Sequence, residues 1–211
     1  MRFTSPHPKD FSDELIKAMK ECEKFPHYLN LPLQSGDNKI LKKMNRPYTV
    51  EHYKKLVKKI RRAMPGIAIS TDIIVGFPGE TKKQFENTAK AMREIKFDMT
   101  FLSEYSPRPH TLAARTMPDN IPRKEKEARK KKLNDILTKT ALENNKKLVG
   151  KTVKVLNNRT EGNKLVHPVE SLRSKDAKGV FNGVKISGKY PKNKFIQVKI
   201  TKATPWHLEA K

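Results

Sequence analysis

The sequence predicts a mixed α/β protein: a strand–helix region that builds a parallel sheet, followed by a small antiparallel β-barrel. Three observations predict it. Up to residue 104, short apolar runs rich in β-branched residues alternate with segments of helical period. After Gly150 the apolar period drops to two. Between these regions, residues 123–147 contain neither glycine nor proline and read as one long helix.

Taken in order, "RFTS" near the start is short and strand-like. Ser12 can cap a helix with Leu15, Ile16, Met19 and Cys22 on one side, which puts Cys22 at a buried helical position. "HYLNLPL" (27–33) reads as a strand, and 38–45 as a short helix. Thr49 caps an amphipathic helix carrying Tyr53, Leu56, Val57, Ile60 and Met64, which Pro65 and Gly66 end. "IAISTDIIVG" (67–76) is the next strand, and "DMTFLSEY" (98–105) the last of this series. A β-α-β-α-β-α-β order implies parallel strands with right-handed crossovers, and a barrel or an open sheet fits it equally.

Residues 106–122 form a proline-rich connector, and Pro122 stands at the first turn of the long helix. Ala128, Leu133, Ile136, Leu137, Ala141 and Leu148 are that helix's apolar positions, and "RKEKEARKKK" (123–132) reads as a solvated face. Gly150 is the stop. "KTVKVLN", "GVFNGVKI", "KFIQVKITKA" and "WHLEAK" are short strands separated by turns, four or five in about sixty residues. The domain boundaries that follow are 1–122, 123–148 for the connecting helix, and 149–211.

The 211 residues carry 46 Lys and Arg against 22 Asp and Glu, a net charge of +24. From Asn145 onward there are 16 basic and 4 acidic residues, so positive charge is densest in the tail. An excess of this kind points to a polyanion partner, above all nucleic acid. No apolar run reaches the roughly 18 residues of a membrane span, and the start lacks a secretory apolar stretch, so a cytoplasmic protein without a membrane partner is expected. Cys22 is the single cysteine. It excludes an internal disulfide and any cysteine-held cluster built by these residues alone. His7, His27 and His110 match no metal-ligand spacing.

"DIIVGFPGET" (72–81) ends a core strand in two glycines, a proline and a carboxylate. A strand-to-helix turn asks for such residues, and "TKKQ" (81–84) reads as a capping box for the next helix. The carboxyl ends of parallel strands are also where these folds bind ligands, and glycine lets backbone approach a ligand closely. Both readings stand on this stretch.

"RFTSPHPKDFSDELI", "LPLQSGDNKILKKMNRPYT", "STDIIVGFPGET" and "EYSPRPHTLAA", in that order, resemble the second half of the radical S-adenosylmethionine (SAM) barrel of methylthiotransferases. The tail resembles their TRAM domain, a small β-barrel that binds RNA. "QSG" and "RFTSPHP" are similar to the MiaB type, which adds a methylthio group to isopentenyladenosine beside the tRNA anticodon. The ribosomal-protein branch is less similar at "LPLQ", and the threonylcarbamoyladenosine branch is a further alternative.

The resemblance implies a partial (β/α) radical SAM barrel followed by a TRAM-like barrel, with SAM as cofactor and tRNA as partner. It places Ile74, Gly76, Phe77 and Gly79 along the SAM adenine, with Glu80 holding the turn or the helix start. It turns Gln34 and Ser35 toward the ribose, and sets Ser106 and Arg108 toward substrate or the SAM carboxylate. In the tail, Lys185, Lys189, Lys192 and Lys194 are the expected RNA contacts. Tyr190 is the candidate for stacking on a base, and Phe195 is expected in the core.

The family's chemistry needs a 4Fe–4S cluster on three cysteines in a CxxxCxxC loop, with a second cluster in a preceding domain. The present sequence offers Cys22 alone. The expectation is therefore a C-terminal portion, inactive by itself, whose parent supplies the cluster-binding region and meets a sulfur or electron donor protein. A non-catalytic RNA-binding module is the alternative from a different class.

Overall fold

Local side-chain capping sets where most of the helices begin. The structure, a computed structural model, describes residues 6–157, 170–171, 183–186 and 194–211. The Ser12 hydroxyl accepts from Leu15 N at 3.2 Å and starts α1 (Asp13–Glu21). Asp37 accepts from Lys39 N and Ile40 N and starts α2 (Asn38–Lys43). Thr49 caps α3 (Val50–Ala63), and Thr81 with Gln84 closes a complete capping box on α4 (Lys82–Ile95). Two helices follow, the short α5 (Leu112–Thr116) and the 24-residue α6 (Arg123–Lys146), which Pro122 precedes.

Between the helices run β1 (Tyr28–Asn30), β2 (Ala68–Val75) and β3 (Met99–Glu104), parallel throughout and in the order β1-β2-β3. The register pairs Tyr28 with Ala68 and Thr71 with Thr100. Leu29, Ile69 and Ile73 from the strands meet Tyr53, Ile60, Met92 and Leu133 from α3, α4 and α6 in one core. Two polar pairs inside that core are bonded, Tyr53 Oη donating to Leu31 O at 2.6 Å and Ile69 N to Asp98 Oδ2 at 2.9 Å, while the buried Thr100 hydroxyl has no partner among the described residues.

Several sequence expectations change. The ladder of the first strand ends at Asn30, short of the predicted 33: Leu31 N still donates to Ser70 O, but Leu33 N turns to the Thr71 hydroxyl at 2.8 Å instead of a β2 carbonyl. A single bridge, Gln34 to Ile73, resumes the pairing. Cys22 does not sit in the buried face of α1: the helix ends at Glu21, and Cys22 is its half-buried C-cap. Ala128, counted among the apolar positions of α6, is exposed. The connector holds α5, which its prolines had hidden. "RFTS" lies outside the described residues.

The tail contains β4 (Thr152–Asn157), β5 (Glu170–Ser171), β6 (Gly183–Ile186), β7 (Lys194–Ala203) and β8 (His207–Ala210), in the sheet order β5-β4-β7-β8-β6. The outer strands β5 and β6 come close to each other. The pairing is antiparallel except that β6 runs parallel to β8, a departure from the all-antiparallel expectation. Val155, Val184, Ile186, Val198, Ile200 and Leu208 form a second core.

Phe195 was expected inside and is 53% exposed. Side chains alternate along a strand. With Val198 and Ile200 buried, residue 196 points in and 195 points out. Asn145 Nδ2 donates to Thr204 O at 2.8 Å, and Gly150 N donates to Ile200 O at 2.8 Å, so the end of α6 is fastened to the tail sheet. Gly150 takes φ +82°, as a helix stop requires.

Leu133 is fully buried where α6 meets the strands. Leu133→Ala should lower unfolding free energy by about 2–5 kcal/mol, whereas Lys131→Ala, exposed on the same helix, should change it by less than about 0.5 kcal/mol. Urea denaturation of the two variants checks this.

Candidate functional site at the strand ends

β2 runs into the turn 76–80, where Gly76 and Gly79 have φ of +69° and +72°. These are backbone states that side chains with a Cβ adopt at a cost. The turn closes on its own carboxylate: Gly76 N donates to Glu80 Oε2 at 2.8 Å. Glu80 is only 2% exposed, and its partner reaches in from α6. Arg129 Nη1 donates to Glu80 Oε2 at 2.7 Å and to Glu80 O at 3.0 Å. Arg129 Nε donates to Glu125 Oε1 at 2.9 Å, and the guanidinium lies 5.4 Å from the centre of the Phe85 ring. Burial pushes the Glu80 carboxyl above its ordinary range, and the Gly76 N–H and Arg129 offset part of that push.

Lys126, one turn before Arg129, crosses directly over Gly76. A Cβ on Gly76 would overlap Lys126 Cγ. Its ammonium donates to Tyr105 O at 3.0 Å and to both Asp119 oxygens, at 2.7 and 2.6 Å. Asn120 Oδ1 accepts from Gly79 N at 2.9 Å. The connector is thereby pinned across the ends of β2 and β3.

The solvated face expected for 123–132 is therefore corrected at two positions: Lys126 and Arg129 are 6% and 5% exposed. The signal was present in the spacing. Lys126, Arg129, Leu133, Leu137 and Thr140 recur every three or four residues and share one stripe.

Beside the turn, Gln34 has φ +68° and is half-buried. The Ser35 hydroxyl is fully buried, accepts from Asp37 N at 3.3 Å and lies 3.4 Å from Thr88 Oγ1. A Cβ on Gly36 would overlap Thr88 Cα, so this glycine lets the β1 loop seat against α4. Ile74 is half-buried. Phe77 packs edge-on against Tyr105, with ring centres 5.1 Å apart. The Tyr105 hydroxyl is buried and has no hydrogen-bond partner among the described residues.

The structure thus brings together Gln34, Ser35, Ile74, Gly76, Phe77, Gly79 and Glu80. Ser106 and Arg108 are exposed on the connector. Sequence reading missed Lys126, Arg129, Tyr105, Asp119 and Asn120. In the tail, Lys185 on β6 and Lys194 at the start of β7 are exposed. Lys189, Tyr190 and Lys192 lie outside the described residues.

Residues 1–92 match the radical SAM superfamily. The chain is 44% identical, over 99% of its length, to the tRNA-2-methylthio-N(6)-dimethylallyladenosine synthase of Clostridium novyi, and covers 45% of that protein. Against the Thermobifida fusca and Dehalococcoides mccartyi proteins of the same name, identity is 41% and 42% over the whole chain, covering 42% and 49% of theirs. Residues 1–92 belong to the radical SAM superfamily. It spans a little under half the length of these curated relatives. A solved radical SAM enzyme, coproporphyrinogen III oxidase (HemN) from Escherichia coli, matches 63% of this chain and 31% of its own, with a TM-score of 0.54 and 20% identity. That likeness shows a shared fold.

Arg129→Gln should destabilise the protein by about 3–5 kcal/mol at neutral pH, because it strands a buried carboxylate. The Glu80 pKa is raised in the folded state. Its favourable contribution is then full below the unfolded carboxylate pKa and is lost as pH rises through the folded value. Losing Arg129 raises that value further, so the variant's deficit should grow with pH. Urea unfolding of both proteins from about pH 4 to about pH 8 checks the direction.

Proposed function

We propose that these 211 residues supply part of the SAM pocket and the tRNA grip of a methylthiotransferase acting on isopentenyladenosine beside the anticodon. Identity along the whole chain to synthases named for that product carries the reading. The strand-end geometry supports it. Ile74 and Phe77 offer an apolar wall, and among the described residues neither the half-buried Gln34 side chain nor the buried Tyr105 hydroxyl has a hydrogen-bond partner. An aromatic, hydroxyl-rich ligand such as SAM fits that set.

Gln34, Ile74 and Phe77 would hold SAM, which would supply the methyl group from one molecule and the radical chemistry of the proposed reaction from a second. The task of this chain is to orient and to exclude water. Glu80 and Arg129 hold the turn, Lys126 closes the connector over it, and Gln34 meets the ribose. Ser106 and Arg108 extend from the connector toward substrate.

A 4Fe–4S cluster does not fit these residues. Cys22, the one thiol in the sequence, follows α1 and precedes β1, on the amino-terminal side of the sheet, away from the 76–80 turn. In this reading the cluster takes its thiolates from outside these 211 residues. The five-stranded tail is the small TRAM-like β-barrel, its outer strands brought near each other, and it works in the cytoplasm on tRNA.

Gln34→Ala should weaken SAM binding by the chain roughly 2- to 12-fold, the worth of one net hydrogen bond, without changing the melting temperature. Equilibrium dialysis with labelled SAM measures it, and unchanged affinity would return Gln34 to a turn residue. Binding of tRNA should fall steeply with salt. Replacing Lys185, Lys189, Lys192 and Lys194 with Gln should flatten the log–log slope by about 0.7–0.9 for each phosphate no longer neutralised. A filter-binding salt series compares the two proteins.

A further inference from the structure

The outward face of the tail sheet carries an aromatic ring that its own core does not use. Phe195 is 53% exposed at the start of β7, and its side chain stands on the face opposite Val198 and Ile200. Val155 of β4 pairs with Ile196, and Leu156 with Phe195. The neighbouring outward positions on the same two strands are Thr152 and Lys154 on β4, with Gln197, Lys199 and Thr201 on β7. Lys154, diagonal to Phe195, holds its ammonium 4.9 Å from the ring centre. Lys194 is exposed at the strand start.

Within this β4–β7 pair the outward positions from 152 to 154 and from 194 to 201 include lysines, small polar groups and one aromatic, and no acid. Glu209 of β8 stands beyond the far end and is occupied by Lys202 at 3.5 Å and His207 at 3.6 Å. Glu170 shares the Phe195 row by register, but across the intervening strand β4.

We infer that this β4–β7 face is a base-stacking platform for a single-stranded segment of RNA. Phe195 takes a nucleobase, and Lys154 and Lys199, one and two rows further along the strand pair, take successive phosphates of the same strand. The inference rests on the RNA-binding reading of the tail and sharpens it, because it moves the stacking residue from Tyr190 to Phe195. Its physical basis is threefold. An exposed phenyl ring on a strand is costly in water and gains when a π-face covers it. Every base has such a face, so stacking tolerates sequence. The surrounding charge is complementary to a phosphodiester backbone, which argues against a second copy of this equally basic face as the occupant. A cation above an exposed ring is a weaker contact than a stacked base, so Lys154 yields the ring face and keeps its charge for a phosphate.

The test uses the full 211-residue chain and a single-stranded oligoribonucleotide containing 2-aminopurine, whose fluorescence falls on stacking. Wild type should bind with quenching, more tightly at low salt. Phe195→Ala should lose the quenching and roughly 5- to 100-fold in affinity, while Phe195→Tyr keeps both. Lys154→Gln should keep the quenching and reduce the salt slope by about 0.7. All variants should melt with wild type, because the ring is outside the core.

Salt-sensitive binding that Phe195→Ala leaves unaltered overturns the platform and leaves RNA binding standing. No salt-sensitive binding by wild type even at low salt overturns both. A sharp fall in melting temperature for Phe195→Ala makes the ring structural and overturns the platform. Loss of a wild-type dimer in that variant, seen by sedimentation, assigns the face to self-association and does the same.

Discussion

The buried pair between Glu80 and Arg129 organises the candidate site. Two charges taken out of water are costly unless geometry and further hydrogen bonds compensate. Here they offset part of that cost: one carboxylate oxygen serves Gly76 N and Arg129 Nη1 together, and the guanidinium also binds Glu80 O and Glu125. Such a pair specifies position more than it adds stability. It ties the turn after β2 to a helix that begins some forty residues later in sequence, and it fixes φ-positive glycines that would otherwise be free to move.

Further contacts at the strand ends use α6 in this same position. Lys126 can cross Gly76 only with the helix in this rotation, and from there it clamps Asp119 and the end of β3. Asn120, delivered by the same connector, satisfies Gly79 N. The far end of α6 fastens to the tail sheet through Asn145 and Gly150. A single helix thus spans from the 76–80 turn to the basic sheet.

The two halves handle charge in opposite ways. At the strand ends, cations are buried and individually matched: Arg129 by Glu80 and Glu125, Lys126 by Asp119. In the tail, lysines such as Lys154, Lys185 and Lys199 stay exposed. Matched buried charge builds geometry, whereas unmatched exposed charge builds a field and invites counter-ions of large size.

The sequence alone determined where α1 to α4 start, because caps are local: Ser12, Asp37, Thr49 and Thr81 each bond a backbone N–H within three residues. It also determined the strand–turn–helix unit at 68–95 and the change of period after Gly150, since both follow from residue spacing. Tertiary structure decided what spacing leaves open. A run of ten mostly charged residues looks solvated until a carboxylate 49 positions away along the chain turns out to face Arg129. Phe195 and Ile196 are adjacent and both apolar, and only the packing of Val198 and Ile200 against β8 chooses which one points inward. Gly76 could have been a turn residue or a ligand contact on sequence grounds. The fold laid Lys126 over it, a long-range contact that no local pattern encodes.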